Sequence, residues 1–476
     1  MLQRRSTLIW LGFFAFVCIL LPASFIGLHV LTASDGARLS NGTPLFIPLG
    51  SFVSPYYPDS SELQEGDLVM EVSGKSMEAW ADDLFRFGEP RPNLQLGEEI
   101  RYRLIRQGER IDVNVTMGHL PVDSILKQHW GAILFAFVSQ ILATFVLIRR
   151  PKDSAARALF IWAMSGSHTY AWSFFLQISD VVGGIGFWLY RLSTPGLWLI
   201  YWPAALHVAL VFPKPLSITR KIPALIPILY LSSYAIYMAF IFISLPGSVN
   251  TLAWLQTWFP AENFVAIIFL IVTIIVMIRQ YFTSQTGQER SKIRWAVYGA
   301  TISGTLGLSL WLIAPAVLGV SLLNANLLGL LMLLFPLSLA VAIWRHQLFD
   351  IDVIIRRTLV YFVLTVLLIS IYFFIVILLQ SIFSTISGQD SPVAVVISTL
   401  VIAGLFNPLR LGVQKFIDRH FFRSKYNAQQ AIQTFALSAR DETDLETISD
   451  ELVEVVRITM QPEHVTLWLK SDRKGK

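Results

Sequence analysis

Histidines and carboxylates, the side chains that most often carry chemistry inside membranes, are few in this 476-residue chain. An intramembrane zinc protease needs two histidines four residues apart on one helix, with a glutamate after the first as the general base. No two of the eight histidines have this spacing, since they lie at positions 29, 119, 129, 168, 207, 346, 420 and 464. We therefore predict neither zinc-dependent proteolysis nor a bound cofactor.

The apolar part of the chain also contains few carboxylates. Residues 128–406 hold seven acidic residues, at positions 153, 180, 262, 289, 350, 352 and 390, and we place none of them within a membrane span. Aspartyl proteases and ion-coupled transporters need carboxylates inside the membrane, so the sequence argues against both. Asp350 and Asp352 lie among arginines and are expected to form a salt-bridged turn.

Four other polar side chains lie in apolar runs. Ser167 and His207 could form a serine hydrolase pair, although Gly166-Ser167 alone is a weak motif. His168 and His207 could meet as haem ligands, but hydrogen-bonded packing is the favoured interpretation. Arg191 lies near the outer end of its run, and we expect its long side chain to reach the membrane interface.

Membrane helices have to position these residues, because the chain is 54% hydrophobic and only 14% charged. Its mean hydropathy is +0.58. Soluble globular chains are about a quarter charged, and roughly 30 Å of hydrocarbon requires about 20 apolar residues per helix. We predict ten spans, at about residues 8–30, 128–148, 156–178, 186–212, 222–244, 262–281, 294–316, 322–344, 358–383 and 392–407.

Basic residues predict the orientation of these spans, because cytoplasmic loops are rich in Lys and Arg. Alternate loops carry basic clusters, and the loops between them, 179–185, 245–261, 317–321 and 384–391, contain neither residue. The pattern predicts a multi-pass protein of the plasma (inner) membrane, with both termini cytoplasmic and residues 32–127 extracytoplasmic. The first run could be a cleaved signal peptide, but we favour an uncleaved anchor because its apolar residues continue to Leu31.

Residues 32–127 contain 15 acidic and 9 basic residues, as expected of a folded aqueous domain. The chain's one cysteine, Cys18, lies in the first span, so no intrachain disulfide is possible. Alternating side chains predict strands at 68–72, 101–106 and 111–115, with a hairpin turn at 107–109. Ser76 is expected to cap a helix that runs to about Phe87.

This domain contains, in order, Gly66-Asp67-Leu68-Val69, Val72-Ser73-Gly74, the helix, and paired strands around Arg106-Gln107-Gly108. The order resembles a PDZ domain, a fold that binds a peptide or protein chain end by adding it as a strand. The resemblance implies a peptide groove lined by Leu45, Ile47, Met77, Trp80 and Leu84. The alternative is a PDZ-shaped spacer in which these residues belong to the domain's own core.

The chain after Asn407 begins with basic and aromatic residues. Such a segment beside a membrane predicts a helix lying against anionic headgroups. The expected headgroup contacts are Arg410, Lys415, Arg419, Arg423 and Lys425. Nucleic-acid binding is not expected. Helical runs follow, and the alternation from His464 to Leu469 predicts the first strand of a larger domain.

Two stretches of the carboxyl-terminal part carry a family resemblance. They are Phe349-Asp350-Ile351-Asp352-Val353-Ile354-Ile355-Arg356-Arg357 and Asn407-Pro408-Leu409-Arg410, the second continued by Phe416-Ile417-Asp418-Arg419. They resemble the sensory half of bacterial multi-span sensor histidine kinases of the competence or quorum-sensing type, a group that also has an exported PDZ-like region. The resemblance implies that a GAF domain and a kinase core would follow position 470.

The residues of an ATP site are missing from residues 407–476. The only histidines there are His420 and His464, and the only glycines are Gly412 and Gly475. A kinase core needs a phosphoacceptor histidine and glycine-rich boxes that hold Mg-ATP. We therefore predict that these residues phosphorylate nothing and that the chain is not an enzyme.

The predicted fold is mostly α: a polytopic membrane protein with about ten helices and a small α+β PDZ-like domain. Its predicted parts are an anchor at 1–31, the PDZ-like domain at 32–127, a nine-helix array at 128–407, and a basic helical linker at 408–476 that ends in the start of a GAF-like domain. The predicted function is a non-catalytic sensor or scaffold. Its expected partners are the lipid bilayer, a peptide or protein chain end, and a kinase or GAF partner or self-dimer.

Two other functions remain open at this point. One is a transporter or lipid-handling protein with an accessory PDZ-like domain. The other is intramembrane hydrolysis at Ser167.

Overall fold

The computed structural model describes residues 2–39, 44–57, 62–86, 88, 90–92, 94–212, 215–283, 297–304, 306–307, 310, 324–346, 449 and 453. Nearly all of them belong to the first of two compact units, Met1–Leu367; the second is Leu368–Lys476. The described part of the first unit is mostly helical, with one small sheet.

The described strands form one antiparallel sheet, which with its loops spans residues 33–121 and is called the sheet domain below. Its strands are β1 (Ala37–Leu39), β2 (Phe46–Ile47), β3 (Gly50–Pro55), β4 (Leu68–Val72), β5 (Lys75–Ser76), β6 (Glu99–Arg106) and β7 (Glu109–Thr116). They are ordered β1-β3-β4-β6-β7, with β2 paired to β3 and β5 paired to β4. The predicted strand regions are confirmed; a PDZ topology is not.

Strands β6 and β7 form the predicted hairpin, paired from Glu99 with Thr116 to Arg106 with Glu109. The two turn residues have positive φ, 53° at Gln107 and 87° at Gly108. Two left-handed residues in succession give a turn whose twist matches that of the paired strands.

The one helix of the sheet domain, α2 (Met77–Asp83), begins as the sequence predicts. The Ser76 hydroxyl accepts a hydrogen bond from the Ala79 amide at 3.2 Å, which caps the first turn. The helix ends at Asp83 rather than near Phe87, because the next amides bond to carbonyls three residues back and close the last turn.

The remaining helices are called the helix bundle. They are α1 (Leu2–Leu31), α3 (Val122–Arg149), α4 (Ser154–Ser165), α5 (His168–Phe174), α6 (Ile178–Gly183), α7 (Ile185–Ser193), α8 (Pro195–Val211), α9 (Ser217–Lys221), α10 (Leu225–Ser244), α11 (Thr251–Thr283), α12 (Ala325–Met332) and α13 (Leu334–His346). Residues 297–304 are also helical.

Five of the described helical segments are long and apolar enough to cross a membrane. They are Thr7–Leu31, Val122–Arg149, Ile185–Val211, Leu225–Gly247 and Thr251–Gln280. Each overlaps one predicted span. The protein therefore has the apolar helices expected of a multi-pass membrane protein, and the count of ten spans stays a prediction.

The predicted span at 156–178 is wrong in one respect, because the chain there is not a single helix. Helix α4 ends at Ser165 and α5 begins at His168, with Gly166 at the break. Of the later predicted spans, 294–316 and 322–344 are described only in part, and 358–383 and 392–407 lie outside the described residues.

Glycines allow α3 and α12 to pack at very short distance. A Cβ atom on Gly131 would overlap the backbone of Asn326, and one on Gly329 would overlap that of Gly131. The Asn326 side chain joins the two helices, since it accepts from the Gly131 amide at 2.9 Å and donates to the Lys127 carbonyl at 2.9 Å. Small residues let membrane helices approach in this way.

The sheet domain and the helix bundle share one hydrophobic core. The largest cluster of buried apolar residues contains Val69 and Leu104 of the sheet together with Phe25 of α1 and Leu255 of α11. Apolar side chains that interdigitate across such a boundary leave little room for sliding. The sheet domain therefore packs directly against the bundle and is not joined to it by the chain alone.

Candidate functional site

A buried polar cluster lies where the sheet domain meets the helix bundle. His29 at the end of α1 contacts Asp180 of α6, with 2.7 Å between Nε2 and Oδ1. The Ser34 hydroxyl donates to Oε1 of Gln177 at 2.9 Å. All four side chains are buried. The cluster, called the junction, ties the last turn of the first long helix to the short helix α6.

Helix α6 is placed by its own capping residues. Gln177 is its N-cap, and the Asp180 carboxylate accepts from the Gln177 amide at 2.8 Å, as in a capping box. The side chain that caps α6 is thus the one that holds His29. Gly186 makes room for it, because a Cβ atom there would overlap the Asp180 carboxylate.

Arg91 of the sheet domain holds the other end of α6. Its Nη1 donates to the carbonyls of Val181 and Val182, at 3.0 and 2.9 Å. A cation at a helix carboxyl terminus satisfies carbonyls that have no partner within the helix. Burial lowers the pKa of the Arg91 guanidinium, although the nearby Asp83 opposes this shift. Both ends of α6 are therefore bonded to residues outside it.

Asp35 lies in the junction next to β1. Its carboxylate accepts from the Ala37 amide at 3.1 Å and from the Tyr102 hydroxyl at 3.3 Å. Burial raises the pKa of Asp35 to about 7, and the nearby Asp180 adds to the rise, while the two hydrogen bonds oppose it. Burial beside this carboxyl also raises the pKa of Tyr102 well above its ordinary value. The junction therefore contains an acid that changes charge near neutral pH.

A second contact joins the sheet domain to the first turns of α11. The Phe46 amide of β2 donates to Oε1 of Gln256 at 2.9 Å, and the Asn250 side chain donates to the Pro48 carbonyl at 2.7 Å. The Thr251 hydroxyl donates to the Asp82 carboxylate of α2. The amino-terminal end of α11 thus bonds to both β2 and α2.

The residues of the predicted peptide groove do not line an open groove. Met77, Trp80 and Leu84 are buried in the core, at 0%, 6% and 3% exposure. Leu45 and Ile47 are half-buried. The space between β2 and α2 is covered by the amino-terminal end of α11, which packs against both. The prediction of an accessible groove at these residues is corrected, because a helix of the chain itself lies over the place where a peptide would bind.

Aromatic rings fill the contact between α2, α7 and α11. The Phe85 ring lies 5.7 Å from the ring of Trp188, 5.3 Å from that of Trp254 and 6.2 Å from that of Trp258, measured between centroids. The indole of Trp188 donates to the Leu84 carbonyl at 3.1 Å. Such pairs add stability beyond the area they bury, so these rings contribute to holding α11 against α2.

Arg191 of α7 is buried and forms an ion pair with Glu262 of α11. The distance from Nη2 to Oε1 is 2.7 Å. Arg191 also donates to the Tyr237 hydroxyl, and its guanidinium lies 5.0 Å from the ring centroid of Trp258. The expectation that Arg191 reaches the membrane interface is wrong, because a buried acid and two aromatic side chains hold it in the interior.

Glu262 also corrects the prediction that no acidic residue lies within a span. It belongs to α11 and lies inside the candidate span Thr251–Gln280. The apolar run begins about ten residues before the predicted boundary, and this places Glu262 well inside the helix. The argument against a buried carboxylate in the bundle therefore no longer holds.

A cavity of about 310 Å³ lies between α8 and α11, with further lining residues from α3, α4, α5, α12, α13 and the segment 300–307. Its polar lining residues include His168, Thr169, Thr194, Tyr201, Glu262, Asn263, Thr273 and Ser303. The rest of its wall is mostly aliphatic and aromatic, with Trp198, Trp202, Leu270 and Met277 among the lining residues. A mostly apolar cavity with a few polar groups is the usual form of a small-molecule site.

The predicted polar pairs in the apolar runs do not form. Ser167 donates to the carbonyls of Cys18 and Met164, at 2.5 and 2.7 Å. The His207 ring bonds to the Tyr230 hydroxyl at 3.1 Å, and His168 bonds to the Ser165 carbonyl at 2.9 Å. Each group is occupied by a different partner, so the favoured interpretation of hydrogen-bonded packing is confirmed. The structure supports neither a Ser167–His207 hydrolase pair nor a His168–His207 ligand pair.

Several predicted residues lie outside the described part of the chain. These are Asp350, Asp352 and the headgroup-binding set Arg410, Lys415, Arg419, Arg423 and Lys425. Within the described part, no group of three or more His, Cys, Asp or Glu side chains could hold a metal ion.

Sequence reasoning missed the contact of His29 with Asp180 and the ion pair of Arg191 with Glu262. His29 and Asp180 are 151 residues apart, and no local pattern links them. A local signal did exist for α6, since Gln177 and Asp180 have the spacing of a capping box. Comparison with protein-family models, with curated proteins and with solved structures finds no match to this chain.

Proposed function

We propose that this protein is a non-catalytic membrane sensor or scaffold that couples an extracytoplasmic PDZ-like domain to a cytoplasmic tail. The single observation that carries the proposal is the set of polar contacts, buried around His29 and Asp180 and partly buried elsewhere, that joins the sheet domain to α1, α6, α7 and α11. A domain that served only as a spacer would not need them, since burying polar groups costs free energy that hydrogen bonds only partly return.

The proposed route begins in the sheet domain and runs through α6. Arg91 and the Asp180–His29 pair hold the two ends of this helix. Helix α7 follows directly and carries Arg191, which contacts Glu262 of α11. A displacement of the sheet domain would therefore move α6 and α7 and change the position of α11.

Signalling through this route requires two arrangements of the bundle, with the external event favouring one of them. Packed interfaces suit this role, because they switch between discrete arrangements instead of deforming gradually. The contact of α11 with β2 and α2 is the proposed switching element. An incoming peptide chain end would compete with α11 for the same space.

The proposed topology has ten spans in the plasma (inner) membrane, with both termini cytoplasmic. In this orientation the basic segment that begins near Arg410 would lie against anionic headgroups. The proposed partners of the tail are a kinase or GAF-bearing protein, or a second copy of the chain. The sequence features that resemble sensor kinases support these partners.

The test disturbs the junction and observes the tail. A spin label is attached to a cysteine introduced by Ser471→Cys in a Cys18→Ala background, and the protein is reconstituted in lipid vesicles. We expect Asp180→Asn, which removes the charge facing His29, to change the mobility of the label. The readout is the electron paramagnetic resonance spectrum at 25 °C.

The matched control is Asp112→Asn, an Asp to Asn change at an exposed position of β7. It should leave the spectrum unchanged. An Asp180→Asn protein that melts like the parent and gives the parent spectrum would exclude coupling along this route. Circular dichroism melting separates this outcome from a failure to fold.

A transporter or lipid-handling function is the second candidate, and the cavity between α8 and α11 favours it. It predicts that purified protein accelerates movement of a labelled lipid between the leaflets of protein-containing vesicles. Vesicles that transport no faster than protein-free ones would reject this candidate and leave the sensor proposal untouched.

A further inference from the structure

We infer that the cavity between α8 and α11 binds a neutral, single-chain amphiphile of the lipid class, with its headgroup at the end nearer the sheet domain. The inference concerns binding alone and does not rest on the proposed sensor function.

The cavity has the length and direction of a lipid chain. Its lining residues on α11 run from Glu262 to Met277, and those on and beside α8 run from Thr194 to Val208. At 1.5 Å per residue, each row covers roughly 20 Å, about two thirds of the hydrocarbon thickness of a bilayer. A volume of about 310 Å³ spread over this length leaves a narrow channel, which suits one chain better than two.

The polarity of the channel changes along its length. Thr194, Glu262 and Asn263 occupy the starts of the two lining rows, and both rows start nearest the sheet domain. Further along α11 the lining residues are Ala266, Ile267, Leu270, Thr273, Ile274 and Met277. The single hydroxyl among them, that of Thr273, donates to the Phe269 carbonyl at 2.7 Å. A polar entrance above an apolar channel matches a headgroup above a hydrocarbon chain.

The charges at the polar end favour a neutral headgroup. Glu262 is the acidic residue of the described lining, and Arg191 balances it at 2.7 Å. An anionic headgroup would meet the carboxylate without a free cation, and a cationic one would have to compete with Arg191. Because charges in such surroundings are costly unless they are paired, hydroxyl and ester groups fit this end better.

A buried hydrogen-bond donor in the cavity wall also favours a ligand that carries an oxygen atom. The indole N–H of Trp202 is buried and has no hydrogen-bond partner among the described residues, and its side chain lines the cavity. Leaving such a donor unpaired in the interior costs free energy. An ester carbonyl or hydroxyl within reach of the indole would remove this cost, which an alkane could not do.

The experiment uses the full chain in amphipol, free of single-chain detergent that would itself compete for the cavity, and 1-oleoylglycerol as the probe, with bound ligand counted by native mass spectrometry. We expect saturable binding of one molecule per chain. Ile267→Trp fills the channel and should weaken binding at least tenfold. Its matched control is Ile275→Trp on the same helix, because Ile275 is 58% exposed and outside the lining, so binding should be unchanged.

A second variant keeps the test decisive if Ile267→Trp does not fold. Trp202→Phe retains an aromatic ring and removes the donor, so it should weaken 1-oleoylglycerol binding roughly threefold to tenfold. Oleate and dioleoylphosphatidylcholine should compete poorly. Lack of saturation, equal competition by oleate or by the two-chain lipid, or full binding by both variants would each overturn the inference.

Discussion

Ion pairs of the same chemistry and nearly the same length occur in two regions of this protein, and their surroundings differ. On the face of the sheet, Arg103 contacts Glu71 at 2.7 Å and Asp112 at 3.1 Å, with the arginine side chain 42% exposed. In the bundle, Arg191 contacts Glu262 at 2.7 Å, with side chains 6% and 12% exposed. From the distances alone, these ion pairs would be expected to contribute equally to stability.

The comparison shows that burial decides what an ion pair does. On the sheet, water screens the charges, and a pair of this kind contributes little to stability. In the bundle the charges have lost their hydration, so each depends on the other and neither can be removed cheaply. The His29–Asp180 contact at the junction is buried in the same way, with side chains 3% and 6% exposed. Its burial makes the junction sensitive to change, as a coupling element would need to be.

The largest expected effect comes from breaking the buried pair. Arg191→Met leaves the Glu262 carboxyl without its partner and should lower the free energy of unfolding by about 3–5 kcal/mol. The double variant Arg191→Met/Glu262→Met should recover most of this loss, since no unpaired charge remains. The measurement is unfolding by sodium dodecyl sulfate in mixed micelles, followed by circular dichroism.

Asp112→Asn is the control on the sheet, and the detergent concentration at which this variant unfolds should equal that of the parent protein. If the exposed and the buried changes shifted the curve equally, the distinction drawn from burial would be wrong.

The next effect is a pH dependence that arises at Asp35. Its pKa is raised to about 7 by burial, with Asp180 adding to the rise, whereas an unfolded aspartate has a pKa of about 3.8. The folded protein therefore holds a proton that the unfolded chain releases, so this residue's contribution to stability is largest below about pH 4. It should decline by roughly 1.4 kcal/mol per pH unit up to about pH 7 and then level off.

The check is to measure unfolding between pH 4 and pH 8 for the parent protein and for Asp35→Asn. Asparagine keeps the shape and does not titrate, so the decline should become shallower in the variant. Identical pH profiles for the two proteins would show that Asp35 is not the group responsible.

The smallest expected effect on stability comes from the packing around Asp180 in the junction. Gly186→Ala would place a methyl group against the Asp180 carboxylate, and overpacking of this kind costs about 1–3 kcal/mol. Gly183→Ala is the matched control, because a Cβ atom there meets no atom within 4 Å. We expect lower thermal stability for the first variant and little change for the second. A destabilised Gly183→Ala would contradict this explanation, because its Cβ atom meets no neighbour and helix propensity favours alanine over glycine.

Local patterns predicted local structure well. The hairpin of β6 and β7, the Ser76 cap and the apolar runs of the long helices all follow from residues close together in the chain. The break at Gly166 inside a predicted span was not predicted, because composition alone does not distinguish one apolar helix from two that meet at an angle.

The contacts between distant segments were not predictable in the same way. The apolar pattern places Glu262 at the boundary of a predicted span, yet in the structure it lies in the interior and pairs with Arg191. Met77, Trp80 and Leu84 fitted both a groove and a core, and only the position of α11 distinguishes the two.

By itself, therefore, the sequence determined where this protein is apolar, where its chain turns and which short elements form, since these depend on neighbours along the chain. Only the tertiary structure decided which charges lose water and which partner each one meets. The physical reason is that a side chain loses its water when atoms of distant segments pack around it, as happens to His29 and Asp180. No local sequence pattern predicts which distant segments these will be.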